Sequence, residues 1–416
     1  MTTANEEYSR DELNPPAWLN DDFFQSAVRS FKQDETITVK NLVLRPGTKP
    51  GEHYASIMFR AEVTFDSKSS KNEKIMLILK TMPIEEGAKM DLLKETTAFS
   101  TETRMYEEIL PEMERILKKI GDETRIGPTL VYASNDPAPV IVLIDESPNG
   151  FQTYSKGLDV EQIQVVVERI AKFHACSVFM NENGVDMKSF CDSPYELKEG
   201  RPDFLEELFM PTIRKAVEAF KTWDVDENLK NVLGKNLEVL AERIRDLFLN
   251  SEKRFYSVLM HADFHFKNMM YRNDGKKSED YLLLDFQFCM WNTPASDIYS
   301  LINSVGDDDI REKHRNEIFE QYFVIFRGTL EKLGFQGKIP TFDDFQKELL
   351  RCSLIEYMFF IIFVPFQHVD WSSIDINAIM ETKDFHSTVK GVWKNENFQA
   401  KFIKLVERLL PLGTFD

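Results

Sequence analysis

A chain of 416 residues with 51 Lys and Arg against 69 Asp and Glu has a net charge of −18. It therefore lacks the basic balance with which a general nucleic-acid binder neutralises phosphates or a peripheral protein docks on anionic lipid. Hydrophobic residues at 43% and charged residues at 29% are those of a globular protein, and the length suits two lobes around a cleft.

Four scattered cysteines, Cys176, Cys191, Cys289 and Cys352, form no CxxC pair, so neither a disulfide framework nor a zinc site is expected. The N-terminus is polar and acidic without an apolar signal core, and the longest apolar run, Met358–Phe366, is short and contains Pro365. A cytoplasmic location without membrane association is expected.

In chain order, an amphipathic element around Trp18 to Val28 precedes strand-like runs at Thr36–Leu44, Ile57–Phe65 and Ile75–Lys80. A helical stretch from about Lys89 to Ile120, broken at Pro111, is followed by strands at Thr129–Ala133 and Val140–Ile144. The pattern then turns helical. Asp159 is placed to cap the helix that contains His174, and further helices are expected near 203–223 and 226–250. Tyr256–His261 and Tyr281–Phe286 read as a strand pair, and the chain from Ser296 to about Leu410 as helix. The expectation is an α+β fold with a division at residue 145: a nucleotide-binding lobe of sheet plus one helix, and a larger, mainly helical lobe over 146–416.

The strongest chemical signal is HADFHFKNMMYRNDGKKSEDYLLLDFQ, which starts at His261. Phosphoryl transfer to an alcohol needs a carboxylate for the hydroxyl proton and oxygen ligands that hold Mg²⁺ against the phosphates. Asp263 suits the first task, and Asn268 and Asp285 suit the second. The protein-kinase template H-R-D-L-x-x-x-N followed by D-F-G corresponds here to His261-Ala262-Asp263 with Asn268, and to Asp285-Phe286-Gln287. The missing Arg and Gly point away from protein kinases and toward small-molecule ones.

Upstream, Gly47–Ser56 is a Gly-containing loop whose backbone is able to approach phosphates. Lys80 ends an apolar strand and Glu102 lies in the next helix, the order in which an ion pair would anchor phosphates. Other polar residues have plainer readings: His174 as a satisfied core histidine, His265 as a loop imidazole or a cleft residue, Asp297 as a helix cap or a brace for the catalytic loop, and Asp307-Asp308-Asp309 as a solvated charge run.

These residues, together with GEHYAS, IMLILKTMP, SPNGF, IAKFHA and TPASDI, resemble the ecdysteroid kinase-like family, related to choline and aminoglycoside kinases. The resemblance implies a bilobal protein-kinase-like fold, ATP and Mg²⁺ as cosubstrates, and O-phosphorylation of a small hydroxylated molecule by a monomeric enzyme. It implies Asp263 as base, Asn268 and Asp285 as metal ligands, and Lys80 with Glu102 as phosphate anchor. It also implies a phosphate loop of Gly51, Glu52, His53, Tyr54, Ala55 and Ser56, and a hinge with Leu143 and Asp145 at the nucleotide.

Two positions depart from the family pattern. Ala262 replaces a glycine, which is tolerable only if its backbone avoids positive φ. Ile144 replaces a hinge acid, which removes any side-chain contact that acid would make to the nucleotide. The acceptor class expected is a steroid or another lipophilic alcohol. The rivals are a non-catalytic nucleotide-binding module, which would commonly lack one of the groups present here, and a protein kinase.

Overall fold

Alternation of apolar and polar residues builds the smaller lobe. The computed structural model describes residues 10–47, 56–83, 96–154, 157–199, 203–273, 279–368 and 391–416. In it, β1 (Thr38–Pro46), β2 (Ile57–Asp66), β3 (Glu73–Thr81), β4 (Leu130–Ser134) and β5 (Val140–Ile144) form an antiparallel sheet ordered β1-β2-β3-β5-β4. Every second residue of β2, from Ile57 to Phe65, is buried, because successive strand side chains point to opposite faces. Those residues, with Leu77, Leu79, Val140 and Val142, pack against Leu19, Phe24 and Val28 at α1 (Asp21–Lys32). Asn20 caps α1 by accepting from the Phe23 N–H at 3.2 Å. Lys80 is out of phase with Leu77 and Leu79, so it lies on the face away from α1, paired with Met58 and Ile141. A one-residue register slip would drive it into the core under α1.

The helix that follows is continuous through Pro111 rather than broken there. α2 (Ala98–Arg104) passes through a π-helical turn (Met105–Ile109) into α3 (Leu110–Lys119). Pro111 occupies the first turn of α3, where a missing N–H is tolerated, and the wider turn ahead of it makes room for the ring. The expected start near Lys89 lies outside the described residues. The buried side chains of α2 and α3, among them Phe99, Tyr106, Met113 and Leu117, belong to the core of the larger lobe and not to the core under α1. The helix of the first 145 residues is thus a bridge between lobes.

The larger lobe starts with β6 (Gln152–Thr153) and α4 (Val160–Glu182). Asp159 and Gln162 form a reciprocal capping box at the start of α4, with N–H to side-chain distances of 3.0 and 3.3 Å. α5 (Met210–Phe220), α6 (Glu227–Asn236) and α7 (Leu240–Leu249) follow. The strand pairing differs from the expected one. β7 (Val258–Met260) pairs with β10 (Met290–Asn292), whereas β8 (Met269–Asn273) pairs with β9 (Glu279–Leu283). The loop His261–Asn268 consumes the residues that would have continued β7. α8 (Ala295–Ser300), α9 (Arg315–Leu333), α10 (Phe342–Arg351), α11 (Ser353–Phe363) and α12 (Glu396–Leu409) complete the lobe, with α9 laid along α4. The apolar run at 358–366 falls mainly in α11, whose residues Ser353 to Ile362 are all buried. No described helix is long and apolar enough to cross a membrane.

If α1 completes the core of the sheet, Phe24→Ala should destabilise the protein by about 3–5 kcal/mol. Urea denaturation followed by tryptophan fluorescence measures this, and a loss as small as that of a surface substitution would contradict the packing.

Candidate active site

Lys80 joins three separate parts of the chain. Its Nζ lies 2.6 Å from Glu102 of α2 and 2.6 Å from Asp285, just beyond β9. Burial pulls the ammonium toward neutrality, but the charges of Asp285 and Glu102 outweigh it and raise the Lys80 pKa above its ordinary value. Burial pushes Glu102 upward, and Lys80 opposes that shift. Gln287 bridges the same pair: its Oε1 accepts from Lys80 at 3.5 Å and its Nε2 donates to Asp285 at 3.3 Å. A Gly at that position, as in D-F-G, has no side chain to do this.

The catalytic loop is held from below by Asp297, whose two carboxylate oxygens accept from the His261 and Ala262 backbone N–H groups at 2.6 and 3.0 Å. His174 Nε2 bonds the same carboxylate at 3.0 Å, and His174 Nδ1 meets the Tyr322 hydroxyl of α9 at 2.7 Å. His174 is therefore the satisfied core histidine expected, and it also steadies the brace. Ser300 donates to the Phe264 carbonyl, and His261 Nε2 lies 2.9 Å from the Leu284 carbonyl, which ties the loop to the end of β9.

The expectation for Ala262 fails, since its φ is +67°. An L-residue there is strained by about 1–2 kcal/mol, and the bonds that its own N–H and that of His261 donate to Asp297 hold it in place. Asp285 is also left-handed, at φ +63°. The turn it makes lets Phe286 pack against Tyr106 and His261, with ring centroids 5.5 and 5.0 Å apart.

Asp263 and Asn268 face one another within the loop. Asn268 Nδ2 donates to the backbone carbonyl and to the carboxylate of Asp263, each at 2.9 Å. Burial, then the charge of Asp285, pushes Asp263 up to about 6. A group so shifted remains a carboxylate at neutral pH yet is more basic than an ordinary Asp. His265 Nε2 is 3.4 Å from Asp263, and burial pulls this imidazole down to about 4, so it is neutral.

Two carboxylates, Glu102 and Asp285, thus contact one ammonium, and Asp263 lies within the electrostatic reach of Asp285 and Lys80. No group of three or more His, Cys, Asp or Glu among the described residues is arranged to cage a metal. The Asn268 amide hydrogens are committed to Asp263, so its Oδ1 is the side-chain atom not used in those bonds.

Of the other expected site residues, Gly51 to Ala55 lie outside the described residues, as does the phosphate loop they would form. Ser56 is buried at the start of β2. Leu143 packs toward the large-lobe core on the same sheet face as Ile141 and Lys80, whereas Ile144 packs with the core under α1. The side chain at 144 is thus directed away from the cleft, and replacing an acid there does not empty a cleft position. The Asp145 carboxylate is engaged by Arg60 at 2.8 Å and by the Ser147 N–H at 2.9 Å. The Asp307–Asp309 run is not simply solvated: Asp308 pairs with Arg311 and Lys401, Asp309 pairs with Lys313, and Asp307 accepts from the Ile310 N–H. All four cysteines are free. Ser300 and Tyr322 were not singled out in the sequence, and Gln287 was read there only as the residue that replaces the protein-kinase glycine, not as a bridge between Lys80 and Asp285. The position of Gln287 two residues after Asp285 was a usable signal, whereas Ser300 and Tyr322 gave none.

A sheet lobe and a helical lobe that close a lysine–glutamate pair over a braced His-x-Asp loop define a kinase fold, with the polar constellation of a small-molecule kinase. The chain belongs to the ecdysteroid kinase-like family, whose profile matches residues 50–335. Among solved structures, a choline kinase from Cryptosporidium parvum Iowa II is similar at 13% identity, over 94% of this chain and 96% of that one, with a TM-score of 0.43. An ethanolamine kinase from Plasmodium vivax is similar at 13% identity over 86% and 83% (TM-score 0.38). The GDP complex of wild-type aminoglycoside 2'-phosphotransferase-IIIa is similar at 12% over 94% and 98% (TM-score 0.36). No curated protein sequence matches the chain.

Strain at Ala262 makes a prediction of sign. Ala262→Gly should stabilise the fold by roughly 0.5–1 kcal/mol, the relief of positive φ exceeding the entropy glycine gains in the unfolded chain. Paired denaturation curves measure the difference, and a destabilisation would mean that this residue does not hold the left-handed conformation.

Proposed function

We propose that this protein is an ATP- and Mg²⁺-dependent kinase that phosphorylates a hydroxyl of a small lipophilic molecule, a steroid or a similar alcohol. The observation that carries this reading is Lys80 bridging Glu102 and Asp285 on one side of the cleft while Asn268 fixes Asp263 on the other. Asp263 orients the acceptor hydroxyl and receives its proton. Lys80, held by Glu102, presents its ammonium to nucleotide phosphates, and Gln287 keeps hold of Asp285 as the lysine shifts toward them. Asp285 and Asn268 Oδ1 are the atoms that would hold Mg²⁺, which when bound neutralises charge on the phosphates.

An apolar surrounding for Asp263 is supported by the aromatic core packed near it. Tyr195 stacks on Phe248 at 4.1 Å and meets Phe204 edge-on at 6.4 Å. Burial, and then the negative charge of Asp263, raises the Tyr195 phenol pKa. Presence of the base, both metal-binding positions and the lysine together argues for turnover rather than for nucleotide binding alone.

Incubation with Mg-ATP and a panel of ecdysteroids and hydroxylated xenobiotics, with phosphorylated products read by mass spectrometry, tests the proposal. Asp263→Asn should lower kcat by about 10²–10⁴-fold while leaving Mg-ATP binding intact. Absence of transfer to every compound, with Mg-ATP still bound, would sink the kinase reading in favour of a binding module.

A further inference from the structure

Away from the cleft, the strongly acidic chain contains a concentrated patch of positive charge. A cavity of about 210 Å³ lies between α9, α11 and α12. Lys401, Lys404 and Arg408 line it from one face of α12, at the three- and four-residue spacing that aligns side chains on a helix. Arg311 and Arg315 enter from the start of α9 and the turn before it. These five cations pair with three acids among the described residues: Arg311 and Lys401 share Asp308, Arg315 and Arg408 share Glu356, and Lys404 has Glu312. Arg311 also feels Asp307 and donates to the Gly306 carbonyl and Gln367 at 2.7 and 2.8 Å, so it is anchored while the other cations keep a net positive balance. Glu356 is buried at the floor with both arginines on it, and their charges hold its pKa below the ordinary value against the push of burial. The excess cations are not all at the surface, since the Arg311 and Lys401 side chains are each only 8% exposed.

The remaining wall is apolar, from Ile302, Phe360 and Leu405. Excess positive charge against such walls attracts an anion more strongly than the same charge in water. Paired guanidinium and ammonium donors match the several oxygens of a phosphate. The volume equals roughly seven waters at ~30 Å³ each, enough for a phosphate group and a small substituent. Ile302 and Asn303 lie on the turn that continues α8, so the cavity shares a wall with the helix that braces the catalytic loop.

We propose that this cavity is a binding site for a small phosphate-bearing anion, either inorganic phosphate or a phosphomonoester. Isothermal titration of the full chain with inorganic phosphate, and separately with phenyl phosphate, at constant ionic strength tests it. Lys404 is 65% exposed, so Lys404→Glu reverses a charge at the cavity mouth without burying anything. It should weaken binding about tenfold or more. Lys313→Glu makes the same charge change at an exposed residue outside the cavity and should leave the affinity unchanged. Tighter binding of phenyl phosphate than of phosphate would identify the ester, held by the apolar wall. Equal affinity would identify the inorganic ion. Absence of saturable binding to the wild-type chain, binding unaffected by Lys404→Glu, or equal losses in both variants would overturn the proposal. None of these measurements needs turnover, so they stand or fall apart from the kinase reading.

Discussion

The bridge from Lys80 to Glu102 and Asp285 is the contact on which the arrangement of the molecule turns. It links the sheet through β3, the inter-lobe helix through α2, and the end of β9. A lysine and a glutamate so deeply buried are held against a large desolvation penalty, and loss of one partner would leave the other uncompensated. The bridge is therefore a weak source of net stability and a strong source of specificity: few placements of β3, α2 and β9 satisfy all three charges. It also explains why α2 and α3 pack into the larger core although they precede β4 and β5 in the chain. Were they to follow the sheet alone, Glu102 would be free to move with the smaller lobe and away from Asp285.

A second constraint lies beneath the first. Asp297 accepts from two successive amides, and the second of them belongs to Ala262, which takes a conformation that its own side chain disfavours. Strain of this size persists where surrounding bonds over-determine the backbone, and here they run through His174 and Tyr322 to α9. The consequence is a loop with little freedom, in which the Asp263 carboxylate is presented by backbone geometry and steadied by Asn268. Reaction geometry needs such fixity, because misplacement by about an ångström forfeits much of the gain from proximity.

Much of this was legible in the sequence because local patterns fix it. Apolar alternation located β2 and β3 with Lys80 at the strand end, Asp159 located the start of α4, and Asp263, Asn268 and Asp285 were grouped by one loop and one hairpin. What escaped depends on contacts distant in sequence or on backbone compensation. β7 has no local signal that it will pair with β10 rather than with the strand after the hairpin. Pro111 reads as a helix break until the π turn before it is seen. Ala262 reads as evidence against a left-handed loop, because the bonds that enforce that conformation come from a residue 35 positions away.

Charge distribution ties these features together. The chain is acidic overall, and the cleft is acidic in miniature, with Glu102, Asp263 and Asp285 gathered about one lysine. Burial, and then the nearby charge of Asp285, displaces Asp263 toward neutrality. A cation beside Asp285 would remove part of that repulsion and restore Asp263 toward an ordinary carboxylate. The same event would take Asp285 from Lys80 and turn the ammonium toward an incoming phosphate. Lys80 supplies the cationic charge at Asp285 in this structure, and Gln287, which bonds both, would keep the carboxylate oriented if another cation took its place. A glycine at 287 leaves that exchange to solvent, so the amide is where this chain departs most consequentially from the protein-kinase pattern.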